Sequence, residues 1–267
     1  MGPVGNERYV VELCRKLRLP TVGREAVRLA REAVRQGMDP LSYMIQMLEL
    51  ELDEREQRRA ARRVQEAGFP LVKTLSGFDF GRAPHLPEAQ IRELACGEYV
   101  DRAEPVLFIG EPGTGKTHLA TALGVAAAGQ GRAVRFVTAA RLVNELMEAK
   151  DARELGRVVA RYTRHALLVV DELGYLPLSR ADAELLFQVL GERQEKGAII
   201  VTTNLPFSEW TTIFPDPRLC RAVVDRLTHR AHIIETGTRS IRLEDSLTKK
   251  HKGRQAPPSA EPTSTPA

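Results

Sequence analysis

The feature that most restricts the fold of this chain is an eight-residue loop, Gly110-Glu111-Pro112-Gly113-Thr114-Gly115-Lys116-Thr117, set between an apolar run and a helical stretch. It fits the spacing GxxxxGK[ST], in which glycines let backbone N–H groups turn inward around phosphate oxygens. The run before it, VLFI (106–109), reads as a strand, and HLATALGVAAA after it reads as a helix whose positive N-terminal end faces the same phosphates. A strand, a loop and a helix in this order argue against a chance glycine-rich turn. Residues Gly110, Glu111, Pro112, Gly113, Thr114, Gly115, Lys116, Thr117 and His118 are therefore the expected nucleotide-binding set. Lys116 can reach the β and γ phosphates of ATP as a point charge, and the Thr117 hydroxyl is positioned to ligate Mg2+.

Three more apolar runs, VRFV (134–137), LLVV (167–170) and AIIV (198–201), alternate with helical stretches, and a last strand is expected around HIIE. Such alternation implies an α/β fold with a parallel sheet buried on both faces. Ligands of open α/β sheets bind at the C-terminal ends of the strands. Asp171 and Glu172 end the LLVV strand, so both are expected to face the phosphate loop. Asp171 fits the acidic residue that holds magnesium, generally through water, and Glu172 fits the general base for an attacking water. Asn204, ending AIIVTTN, is placed to hydrogen-bond that water and the γ phosphate, although an Asn at a strand end is often only a turn residue.

Before residue 71 the pattern is different. Apolar residues recur at helical spacing from Tyr9 to Gln65, which predicts a small all-helical domain over residues 1–70. Its EREQRRAARR segment (54–63) is almost all charge, as expected of a solvated helix face or one lying against a charged partner. Residues 71–247 form the expected catalytic domain, opened by a Gly- and Pro-marked connector and an amphipathic segment from Glu88 to Tyr99. Residues 248–267, with four prolines and few apolar groups, are expected to be a disordered basic tail. Of the net charge of +4, residues 1–75 carry +3, residues 76–247 carry −2 and residues 248–267 carry +3. Basic ends suit nucleic acid or an acidic partner, and equally suit ordinary solvated charge. Cys14, Cys96 and Cys220 show no metal or disulfide spacing, and His229 and His232 read as structural. With no apolar run long enough for a membrane span and no secretory signal, a cytoplasmic chain is expected.

Taken together, the phosphate loop, the DE strand and the TTN strand resemble an AAA+ ATPase over roughly residues 76–247. Within that superfamily KTLSGFDF (73–80), LLVVDELGYLPL (167–178), IVTTNLPFSEW (200–210) and DRLTHRAHII (225–234) resemble the IstB-like transposition helper ATPases. The EREQRRAARRVQEAGFP segment (54–70) is similar to the end of the IstB N-terminal domain, and the DnaC-type helicase loaders share much of the plan.

The resemblance implies further roles. Arg226, in VDRL, lies where initiator-type AAA+ proteins place an arginine finger donated to a neighbour's nucleotide, with an ordinary surface arginine as the alternative. Arg221 is the competing finger, and Arg242 a sensor candidate. Phe78 and Phe80 could flank adenine or simply anchor the connector. About 45 residues follow Asn204 before the tail, too few for a helical lid, as in IstB-like and DnaC-like proteins. The stretch 141–165 exceeds one crossover helix and matches the place of an extra pore-facing helix. On it Arg153, Arg157, Arg161 and Arg164 are spaced as one helical stripe, suited to DNA phosphates or to a solvated face. The implied function is a homo-oligomeric, DNA-binding helper ATPase with intersubunit ATP sites that directs a transposase through its N-terminal domain. A helicase loader, or a non-hydrolysing nucleotide-gated DNA adaptor, are the alternatives.

Overall fold

The computed structural model describes residues 3–175, 177–238 and 240–241. The sequence-predicted tail and Arg242 lie outside the described residues. The chain divides into two compact units, Met1–Gln65 and Glu66–Ala267.

The first unit is built from three helices, α1 (Pro3–Lys16), α2 (Pro20–Gln36) and α3 (Pro40–Glu66), the last running on into the start of the second unit. Its buried centre is small: Ala26, Leu29 and Met47, with Val22, Tyr43 and Leu50 packed against them. Polar clamps supplement that core. No side chain of α2's own caps its first turn. Instead Glu51 of α3, only 3% exposed, accepts from the backbone N–H groups of Thr21 (2.8 Å) and Val22 (3.1 Å). A carboxylate there satisfies two orphan donors and complements the positive helix end. Burial pushes the Glu51 carboxyl up, but the bonds from Val22, Thr21 and Arg55 outweigh burial and hold it below its usual range.

The second unit begins with a connector and two short helices, α4 (Glu88–Leu94) and α5 (Glu98–Asp101), separated at Gly97, whose φ of 87° stops the amphipathic segment expected to run through to Tyr99. Then follow β1 (Val106–Ile109), α6 (Lys116–Gly129), β2 (Val134–Thr138), α7 (Ala139–Asp151), α8 (Leu155–Thr163), β3 (Leu167–Leu173), α9 (Arg180–Arg193), β4 (Ala198–Thr203), α10 (Pro217–Thr228) and β5 (His232–Glu235). The strands form one sheet in the order β2-β3-β4-β1-β5, and every pairing is parallel. The apolar runs seen in the sequence are these strands, and their near-complete burial reflects helices on both faces. Because β4 lies between β1 and β3, the loops leaving three adjacent strands open side by side at one edge of the sheet.

The arginine stripe needs a correction. The stretch 141–165 is two helices, in keeping with its length, but Arg153 sits in the break between them at φ 59°. The helix is interrupted there, so Arg153 leaves the stripe, while Arg157 and Arg161 stay on α8 and Arg164 caps its C-terminus.

Candidate functional site

The loop after β1 is shaped by three glycines with positive φ: Gly110 (155°), Gly113 (88°) and Gly115 (98°). At Gly115 a side chain would meet both an unfavourable backbone and the Phe78 ring, 2.7 Å from the position of a Cβ. The loop borders a cavity of about 650 Å³ lined by Pro112, Gly113, Gly115, Lys116, Thr117 and His118. Gly110, Glu111 and Thr114 stand behind this lining. The first two offer carbonyls to the Lys116 ammonium, at 2.5 and 2.8 Å. The buried Thr114 hydroxyl bonds that of Thr236 (2.6 Å), tying the loop to the segment after β5.

Across the cavity, β3 carries a bulge. Val170 pairs with Val201 and Leu173 with Thr203, so Asp171 and Glu172 together oppose Thr202 alone. Glu172 adopts φ 61°, a left-handed conformation costing a non-glycine residue on the order of 1–3 kcal/mol. In a regular strand neighbouring side chains point to opposite faces. The bulge removes that alternation, and both carboxylates meet the site. Asp171, 4% exposed, accepts from the hydroxyls of Thr117 (3.0 Å) and Thr202 (2.6 Å). Glu172 is exposed and lines the cavity, with its N–H donated to the Thr202 hydroxyl at 2.9 Å. Asn204 lines the same cavity. Thr202 thus fixes both acidic residues, a role the sequence reading missed, although two threonines ahead of a strand-end amide were the visible signal.

The adenine-side residues divide. Phe78 lines the cavity and meets the His118 ring edge-on, with centroids 5.2 Å apart. Phe80 does not line it, which corrects the pairing expected of the two rings. Phe80 starts a short 3-10 turn, and its ring is held between Phe78 (4.9 Å) and the Arg92 guanidinium (5.4 Å). Burial pushes the His118 imidazole below its usual range, so it is neutral at pH 7 and bonded to the Thr74 carbonyl at 3.0 Å. Lys73, Arg82 and Tyr175 also line the cavity, and nothing in their spacing marked them out.

The donor set suits magnesium, which takes oxygen ligands and usually keeps one or two protein groups plus phosphates and waters. Thr117 and Asp171 supply such oxygens in mutual contact. No cluster of three or more His, Cys, Asp or Glu suited to a metal occurs among the described residues. His232 bonds Glu104 at 3.0 Å.

Arg226 does not reach this cavity within its own chain. Its guanidinium lies 3.9 Å from the Phe187 ring centroid, beside a cleft bordered by Pro105 and Ile199 near the N-terminal ends of β1 and β4. Arg221 is exposed on the same helix. On α8, Arg157 pairs with Glu154 (3.5 Å), and Arg161 pairs with Glu145 and lies over Tyr162.

A parallel sheet with a phosphate loop after β1, a Thr–Asp contact and a carboxylate on the neighbouring strand ends is the architecture of a P-loop protein of the AAA+ class. The chain belongs to the family of IstB-like ATP binding proteins, whose model matches residues 12–249. It is 36% identical over 233 residues to an insertion sequence IS21 ATP-binding protein of Pseudomonas aeruginosa, covering 87% of this chain and 88% of that protein. An IS5376 counterpart of Geobacillus stearothermophilus is 35% identical over 241 residues, covering 90% and 96%. Among solved structures, AMPPCP-bound DnaA from Aquifex aeolicus matches with TM-score 0.55 at 19% identity, covering 70% of this chain and 57% of that one. A DnaI structure matches with TM-score 0.51 at 19% identity, covering 61% and 90%. At these identities the likeness to DnaA and DnaI is one of fold. Among the described residues no helix is long and apolar enough to cross a membrane.

Proposed function

We propose that this chain is an ATP-hydrolysing AAA+ helper that assembles on DNA and directs or stimulates a transposase. The observation that carries the reading is the convergence on one cavity of the phosphate loop, the Thr117–Asp171 contact, Glu172 and Asn204. Relatives named as ATP-binding proteins of insertion sequences support the transposition part and favour it over helicase loading.

In this reading Lys116 leaves its loop carbonyls for the β and γ phosphates of ATP, and Phe78 packs against the adenine. Thr117 and Asp171 hold Mg2+, which when bound offsets charge on the transferring phosphate. Glu172 accepts the proton of the attacking water, and Asn204 orients that water. A nucleotide-gated adaptor would need no base at Glu172, where the chain instead accepts a strained backbone. Arg226 completes a neighbour's site, so the protein works as a homo-oligomer. Arg157, Arg161 and Arg164 follow DNA phosphates, and the exposed apolar surface of the first unit receives the transposase.

Mixing subunits tests the shared site. Arg226→Ala should bind ATP nearly normally and hydrolyse it slowly, because a finger acts chiefly on the transition state. Combined with Glu172→Gln subunits it should regain activity above either variant alone. Absence of rescue in co-assembled mixtures, confirmed by sedimentation, would make Arg226 structural and shift the finger to Arg221.

A further inference from the structure

The first unit has a second charged surface that the proposed ATPase cycle leaves unused. A groove between the α1–α2 turn and the middle of α3 is lined by Leu17, Arg18, Arg55, Arg58, Arg59 and Arg62. We infer that this groove binds the sugar-phosphate backbone of duplex DNA, a conclusion that rests on the DNA-binding reading above and adds a contact outside the AAA+ unit.

Positions 55, 58, 59 and 62 fall on one face of α3 by helical periodicity. Over seven residues at 1.5 Å each they span about 10 Å, roughly the rise of three base steps along one strand. Arg18 extends the row from the opposite wall, where its φ of 57° turns the chain and its carbonyl accepts from the Arg55 guanidinium.

Charge pairing is more complete on α2 than in the groove. On α2, Arg24 and Arg28 meet Glu25, and Arg31 meets Glu7. In the groove Arg55 is paired with Glu51 and Arg58 with Glu54, but Arg18 and Arg59 are exposed and meet no carboxylate among the described residues. Residues 54–63 hold five arginines against two glutamates, so the surplus is local. Guanidinium forks match phosphate oxygens. An acidic protein would be the other reader of such charge, but protein interfaces draw affinity from buried apolar anchors, and Leu17 is the one apolar residue of this lining.

The test uses the full chain with ATP and a duplex, titrated across salt concentrations. Arg18→Asn combined with Arg59→Gln removes two exposed cations that meet no carboxylate among the described residues, so folding should be unchanged, as a melting curve would verify. The slope of log affinity against log salt should fall by about 1.8, similarly for unrelated sequences, with ATP affinity unaltered. An unchanged slope in this variant, with a reduced slope in an Arg157→Gln, Arg164→Gln variant, overturns the groove and leaves the α8 contact standing. Failure of the wild type to bind duplex at all removes both. Wild-type DNA binding accompanied by lost binding of polyglutamate would make the groove a protein-docking surface and refute the inference.

Discussion

In the Glu66–Ala267 unit Leu107, Leu168, Val201 and Trp210 share one buried cluster, whereas among the described residues of the first 65 the buried apolar groups are Cys14, Ala26, Leu29, Ala33 and Met47. Exposure runs the other way. Eleven large apolar side chains of the smaller unit lie exposed, among them Val34 at 83% and Leu41 at 69%, against five in the larger, among the described residues. A sheet covered by helices on both faces buries its apolar surface internally. Three helices of this length cannot, so the smaller unit relies on directed contacts such as Glu51 on the α2 N-terminus and the Tyr43 hydroxyl on the Ala26 carbonyl (2.9 Å). Its remaining apolar surface is available for a partner. In the proposed function, chemistry falls to the larger unit and recruitment to the smaller.

The largest expected break of this comparison is at Lys116. In the proposed function Lys116→Ala removes a charge-assisted contact to phosphate, so ATP affinity should fall by about tenfold to a hundredfold or more. Measured with a fluorescent ATP analogue, a change within about twofold would mean that the loop does not hold phosphates.

Arg193 tests the core of the larger unit. Only 2% exposed, its guanidinium donates to the carbonyls of Tyr162 (2.7 Å), His165 (2.9 Å) and Ala198 (2.6 Å), joining α9 to the end of α8, the link before β3 and the start of β4. Burial pushes it down to about 10. Arg193→Met strands those carbonyls and should cost about 3 kcal/mol, lowering the melting temperature of this unit by about 10 °C. Calorimetry that shows the transition unmoved would remove this residue from the core.

The smallest effect belongs to the smaller unit and to acid. The Glu51 carboxyl is held below the ordinary glutamate range, so its ionised form stabilises the fold at neutral pH. That contribution is lost as pH falls through the ordinary carboxylate range and on through the lower folded value. Hydrogen exchange of α2, corrected for intrinsic rates, should show protection fading over that window. Glu51→Gln should be weaker by about 1 kcal/mol at neutral pH and lack the acid-dependent loss. Identical pH dependence in the two proteins would dismiss the carboxylate cap.

The same contrast governs what could be read before the structure. The phosphate loop and the apolar runs were legible because the first is a fixed spacing and the second are buried on both faces. The bulge was not: Val170-Asp171-Glu172-Leu173 contains no glycine, and the extra residue appears only when β3 is paired with β4. Arg153 misled for a related reason, since neither glycine nor proline marks the break before α8 and the spacing of arginines continues through it. Arg193 ends an amphipathic helix, and an arginine there reads as surface. Its burial depends on carbonyls about 30 residues upstream and one strand away.

The central claim, that the second unit hydrolyses ATP with Glu172 as base, is tested most directly by Glu172→Gln. The amide preserves shape but accepts no proton from water. ATP should bind with affinity close to wild type while turnover of the assembled protein falls by about 10²-fold or more. Hydrolysis at the wild-type rate by this variant would contradict the assignment and place the base elsewhere.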